Sequence, residues 1–219
     1  MTKRLSPKER ARVEAIFSTF ESLQPDPKPE LDYVNPFTLL VAVVLSAQAT
    51  DKSVNKATEP LFRVADTPAK MAALGVEGLT PFIQSIGLFN TKAKNVIALS
   101  EQILREHGGE VPLNREALQA LPGVGRKTAS VVLNELRAEP AIAVDTHVYR
   151  VSHRLKLAKG ATPDAVEQEL MALVPPPYLT RAHHWLILHG RYTCVARRPK
   201  CEVCPVAELC PSRPLFLGA

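Results

Sequence analysis

All four cysteines of the 219-residue chain fall within seventeen positions, spaced Cys194-x6-Cys201-x2-Cys204-x5-Cys210. Scattered structural thiols do not cluster this way, and disulfides do not persist in a reducing compartment, so a metal site is the better reading. Structural zinc sites pair two close ligand elements, whereas only Cys201 and Cys204 form such a pair here. A single loop wrapping four thiolates therefore favours a [4Fe–4S] cluster, with zinc as the rival. Arg197, Arg198 and Lys200 stand between the first two ligands. Tethering these cations on a metal loop lowers the entropy cost of presenting them to phosphates; the plainer alternative is a solvated basic surface.

A second constellation is Leu121-Pro122-Gly123-Val124-Gly125-Arg126-Lys127-Thr128-Ala129. Gly123 and Gly125 are read as two positions that a side-chain-bearing residue resists, which makes a tight hairpin between short helices. Free amides at the start of the second helix, with the positive end of its dipole, suit a phosphate oxygen and read no base. Lys127 lies in the first turn of that helix, where an amine beside Arg126 is a candidate nucleophile. Asp145, in Ala143-Val144-Asp145-Thr146-His147, is a candidate acidic partner, and equally a helix N-cap.

The elements that must position these residues read as nearly all α, with no convincing run of alternating strand residues. Ser6-Pro7-Lys8-Glu9 opens a first helix to about Phe20, and Gln24 to Pro29 is a proline-broken linker. Phe37 to Leu45 is apolar on every face and too short for a membrane, which marks a helix through a core. Further helix starts are read at Thr50-Asp51, Thr67-Pro68, Thr80-Pro81, about Thr91, Asn114, Arg126, Asp145, Thr162-Pro163 and Thr180; Gly108-Gly109 ends the helix begun near Thr91 and Leu136 the one begun at Arg126. The net charge of +5 favours a polyanionic partner without establishing one. The segment Met1 to Lys8 is basic without the apolar stretch and cleavage site of a secretory signal, so the expected compartment is cytoplasmic.

Five separated stretches resemble the helix–hairpin–helix DNA glycosylases, and within them the endonuclease III family. They are Leu45 to Asp51, Gly87 to Asn90, Leu121 to Ala129, Val144 to His147 and His184 to Arg191, with the cysteine loop added. The resemblance implies an all-α fold: a helical barrel domain at 29–139, carrying the helix–hairpin–helix at about 114–137, and a discontinuous iron–sulfur cluster domain at 1–28 and 140–219, with DNA in the cleft between. It implies a bifunctional DNA glycosylase and AP lyase of base excision repair, acting on oxidised pyrimidines such as thymine glycol and dihydropyrimidines. Lys127 would form the Schiff base, Asp145 would assist, and Cys194, Cys201, Cys204 and Cys210 would hold the [4Fe–4S] cluster. Gln48 and Leu88 match residues inserted into the base stack, since a base inside a duplex must be flipped out to be cut. Gly123, Gly125, Arg126, His147, Arg197, Arg198 and Lys200 are further expected DNA contacts. The expected partner is double-stranded DNA containing damaged bases or abasic sites, bound by a monomer associated with the nucleoid. Adenine glycosylases fit less well, because they carry a carboxylate on the early apolar helix and lack the hairpin lysine; here the only acid from Phe37 to Asn55 is Asp51.

Overall fold

The computed structural model describes residues 6–216, and within them the chain is helical with no strand. Residues 1–5, most of the basic leading segment, lie outside the described residues. The chain packs as two compact units: one joins the stretch up to Lys28 with that from Pro140 onward, and the other is Pro29–Glu139.

The unit Pro29–Glu139 is built from α2 (Pro36–Leu45), α3 (Asp51–Val64), α4 (Pro68–Ile83), α5 (Phe89–His107), α6 (Arg115–Ala120) and α7 (Arg126–Glu135). Every residue of α2 from Phe37 to Leu45 is buried, and α3, α5 and α7 all pack against it. At about 1.5–3 kcal/mol for each large apolar side chain taken from water, this one helix anchors the unit. Asn35 caps α2 reciprocally with Thr38. Thr50, Thr67 and Asn114 cap α3, α4 and α6 through their side-chain oxygens.

The other unit contains α1 (Pro7–Leu23), α8 (Thr146–Arg154), α9 (Pro163–Leu173) and α10 (Leu179–Tyr192), followed by short 3-10 turns. Its core sets Phe17 against Tyr178 and Trp185, with ring centroids 6.0 and 6.5 Å apart. The polar ends of the two larger rings are satisfied: Trp185 Nε1 donates to the Gln24 carbonyl at 2.8 Å, and Tyr178 Oη donates to Glu14 at 2.6 Å.

Several boundaries differ from the sequence reading. The first helix continues to Leu23, one turn beyond Phe20, the last buried residue of its apolar face. Pro81 lies inside α4, and the break falls instead at Gly75, whose φ of 63° only glycine adopts without strain. The helix expected from Thr91 begins at Phe89. The last long helix starts at Leu179, growing out of a 3-10 turn at Pro176–Tyr178 rather than from a Thr180 cap. The hairpin helix ends at Glu135.

Candidate active site and cysteine centre

In the unit Pro29–Glu139 the hairpin is held from below. Leu121 and Val124 are buried, and the Val124 amide donates to the Leu121 carbonyl at 3.1 Å. Gly123 sits at φ 78°, where a Cβ would meet Asn95 of α5 at 3.0 Å. Gly125 departs from expectation: its φ of −86° is ordinary extended backbone, and a Cβ there would meet nothing within 4 Å. Its lack of a side chain matters as open space rather than as conformational freedom. Gly125 also leaves α7 without a side-chain cap, as Leu88 leaves α5, whereas α2, α3, α4 and α6 in the same unit are capped. Helix-start amides with no side-chain acceptor suit an anionic oxygen. Arg126 and Lys127 are exposed in that first turn.

Gln48 and Leu88 share an unusual property. Both are non-glycine residues in the left-handed region, at φ 55° and 61°, a conformation that costs roughly 1–2 kcal/mol and is found preferentially at functional positions. Leu88 is 61% exposed, which removes the core-leucine alternative. The two turns adjoin: a Cβ on Gly87 would stand 3.9 Å from the Gln48 carbonyl oxygen.

In the other unit, Asp145 is half-buried and caps α8. Its Oδ1 accepts the amides of His147 and Val148, both at 2.8 Å, so capping engages a single oxygen of the carboxylate. His147 Nδ1 lies 3.2 Å from Arg150 Nη2; arginine only donates, so Nδ1 accepts and the ring hydrogen is on Nε2. His147 also backs onto α10, where a Cβ on Gly190 would come within 2.9 Å of its own Cβ. Arg150 donates onward to the carbonyls of Gly190 at 2.8 Å and Cys194 at 3.0 Å. Arg150 and Arg154, which the sequence reading passed over, thus tie α8 to the cysteine loop; an arginine pair four residues apart after the Asp was the available signal.

The four cysteines are unbridged, and all line one small cavity, partly open to solvent, together with Arg154, His189 and Arg213. Among the described residues no three His, Cys, Asp or Glu side chains converge on a single metal ion. A tetrahedral zinc draws four thiolates to about 2.3 Å from one point, whereas a cluster gives each thiolate its own iron; four cysteines that line one cavity without converging on a single point fit the cluster. Burial pushes the Cys204 thiol up to about 11, and burial followed by the neighbouring thiols Cys194 and Cys210 raises Cys201. Two thiols, Cys201 and Cys204, whose ionisation is opposed first by burial suit a cationic iron–sulfur core, which reverses that penalty. His189 is buried beside Cys204, and burial holds its ring down to about 4, neutral at pH 7. Arg197, Arg198 and Lys200 are exposed on the loop, Arg198 again at positive φ, 51°.

Comparison with known proteins accords with this geometry. The family model of HhH-GPD superfamily base excision DNA repair proteins matches residues 41–176, and that of the iron–sulfur binding domain of endonuclease III matches residues 194–210. Endonuclease III of Rickettsia conorii is 58% identical over 198 residues, 90% of this chain and 94% of that protein. Endonuclease III of Escherichia coli is 52% identical over 201 residues, 92% and 95%. Among solved structures, a trapped endonuclease III–DNA covalent intermediate superposes with a TM-score of 0.87 at 41% identity, covering 98% of this chain and all of that one. A thermostable thymine-DNA glycosylase superposes at 0.82 with 25% identity, covering 95% and 98%. With the greater part of its length matched and more than half of the aligned residues identical in these curated relatives, the chain belongs to the endonuclease III family of helix–hairpin–helix base excision DNA repair proteins.

Proposed function

We propose that the protein is a bifunctional DNA glycosylase and AP lyase that removes oxidised pyrimidines from double-stranded DNA and cleaves the strand through a Lys127 Schiff base. The observation that carries this reading is an exposed lysine in the first turn of an uncapped helix, immediately after a buried-anchored hairpin. Residues 29–139 act as the helical barrel domain, with the hairpin at about 114–137, and residues 1–28 with 140–219 act as the cluster domain. The working compartment is the cytoplasm, at the nucleoid; no helix among the described residues is long and apolar enough to cross a membrane.

The amides of α7 that follow Gly123 and Gly125, with Arg126, hold a phosphate and set the register of the strand. Leu88 enters the stack and Gln48 faces the base left behind, so that the damaged nucleotide turns out of the duplex. The Lys127 Nζ lone pair attacks the sugar C1′; the bond from C1′ to the base breaks, and the base leaves with the electron pair and takes a proton. Asp145 stabilises the positive charge that develops on the sugar and accepts a proton from the attacking amine. Ring opening gives the iminium, which acidifies the C2′–H bond. Loss of that proton expels the 3′ phosphate with the C3′–O electron pair, and water then hydrolyses the iminium and frees Lys127. His147, next to the Asp145 cap, is a further DNA contact of this reading, and Arg197, Arg198 and Lys200 meet backbone phosphates. When bound to Cys194, Cys201, Cys204 and Cys210, the [4Fe–4S] cluster cross-links the loop that presents those cations.

Borohydride trapping on a duplex bearing one thymine glycol tests the reading. A covalent protein–DNA adduct is expected with the wild type, and Lys127→Ala is expected to lose it while keeping its affinity for abasic DNA. An adduct that persists in Lys127→Ala would assign the chemistry to another amine.

A further inference from the structure

The four thiolates do not receive equal treatment from the protein. Arg154, in the last turn of α8, points its guanidinium at the first ligand: Nη1 lies 3.4 Å from Cys194 Sγ and 2.7 Å from the Val195 carbonyl, while Nη2 donates to the Ala196 carbonyl at 2.8 Å. The same guanidinium covers the Phe216 ring at 4.6 Å, so it is gripped on two sides and cannot swing away to solvent. At Cys204, the Nε2 of buried His189 stands 3.7 Å from Sγ, and the His189 carbonyl accepts the Cys194 amide at 2.7 Å. A thiolate bound to iron has no proton to give, so at both sulfurs the nitrogen is the donor.

We propose that Arg154 and His189 are positioning residues for the cluster that set its electron affinity, one through its guanidinium and one through its imidazole N–H, each aimed at a ligand sulfur. Electron density on the thiolates is greatest in the more reduced cluster. A donor aimed at sulfur, and a cation above all, therefore favours the reduced member of the couple, and burial amplifies the effect. The asymmetry has a direction: the donors reach Cys194 and Cys204, so irons held by these two sulfurs would be the stabilised ones. Held this way, the resting [4Fe–4S]2+ form resists losing an electron to become 3+, the form from which iron is more readily shed.

The inference rests on the assignment of the cluster, and the test separates the two. Wild-type protein is first assayed for iron, with about four atoms per chain expected; protein without iron would overturn the cluster itself. In iron-replete variants the one-electron 3+/2+ midpoint potential is then measured at an electrode. Arg154→Gln shifts it negative, Arg154→Lys shifts it less because the charge remains, and His189→Leu shifts it negative while His189→Gln, which keeps an N–H donor, stays near wild type. Midpoints unchanged in Arg154→Gln and His189→Leu would overturn the proposal, since a merely structural role moves iron content and not potential. Should these variants fail to take up iron, the wild type decides: electron–nuclear double resonance of the oxidised cluster should show exchangeable protons coupled to it that vanish in deuterated buffer, and their absence would equally overturn the proposal.

Discussion

Gly123 and Gly125 look interchangeable in the sequence, yet each is glycine for its own reason. Gly123 combines a left-handed backbone with a 3.0 Å approach to Asn95. Gly123→Ala should therefore cost about 1–2 kcal/mol from strain alone, read as a lowered melting temperature, with crowding at Asn95 adding to it. Gly125→Ala should melt within about 0.5 kcal/mol of wild type and yet bind abasic DNA more weakly, because its methyl projects into the space an approaching phosphate needs. Equal loss of stability in both would refute the distinction. The motif was legible from the chain because glycines and the lysine are close in sequence. The left-handed backbones of Gln48 and Leu88 were not, since nothing in a leucine signals φ 61°; there the fold overrides the residue's preference. The arginine pair on α8 was a visible signal, but the sulfur partners of Arg154 and His189 were not, as they lie on a loop that only tertiary packing brings near.

At the scale of elements, the starts of helices were the most legible feature, because a cap is a local hydrogen bond. Ser6, Thr50, Thr67, Asn114 and Thr162 each accept an amide of their own helix. Breaks were less so: Gly75 lies in a helical pattern whose disruption is set by how α4 packs on α5. Asp145 is where a cap and a proposed chemical role share one side chain, and the two separate by substitution. Asp145→Asn keeps an acceptor for the His147 and Val148 amides and should leave stability near wild type while base excision falls sharply. Asp145→Ala should lose both, with about 1 kcal/mol of stability. Unimpaired excision by Asp145→Asn would reduce Asp145 to a cap. Two tyrosines pin elements in a way that depends on pH. Tyr33, ahead of α2, donates to Glu135 of α7 at 2.7 Å; burial first, then this carboxylate, push its hydroxyl up to about 12. Tyr178 reaches the same value, mainly through its bond to Glu14 of α1 and then through burial. Both folded values lie above the unfolded one of 10, so the contribution is complete below pH 10 and lost as pH rises from 10 to 12. Denaturant titrations should show stability declining across that window, with a shallower decline in Tyr33→Phe or Tyr178→Phe; an identical slope in both variants would remove the tyrosines as its cause.

Across the whole molecule the excess of 27 basic over 22 acidic residues is small, so placement matters more than the total of +5. Exposed cations stand on both units: Arg126 and Lys127 at the start of α7, and Arg197, Arg198 and Lys200 on the cysteine loop. The first pair belongs to the motif proposed to grip the damaged strand. The loop cations carry no base-reading geometry, and their proposed role is counterion release, which makes a definite statement about salt. Each phosphate contact contributes about 0.9 to the slope of log affinity against log salt concentration on duplex DNA. Replacing Arg197, Arg198 and Lys200 together by alanine should therefore flatten that slope by about 2–3. The loss should be the same on damaged and undamaged duplexes, because phosphate contacts position without discriminating. The cluster's visible absorption should be retained, as none of the three replaced residues is a proposed ligand. A slope that does not change would place the loop away from DNA and leave its charges as solvated surface. A loss confined to damaged duplexes would instead mean that the loop takes part in recognising the flipped nucleotide, which is a different use of the same three side chains.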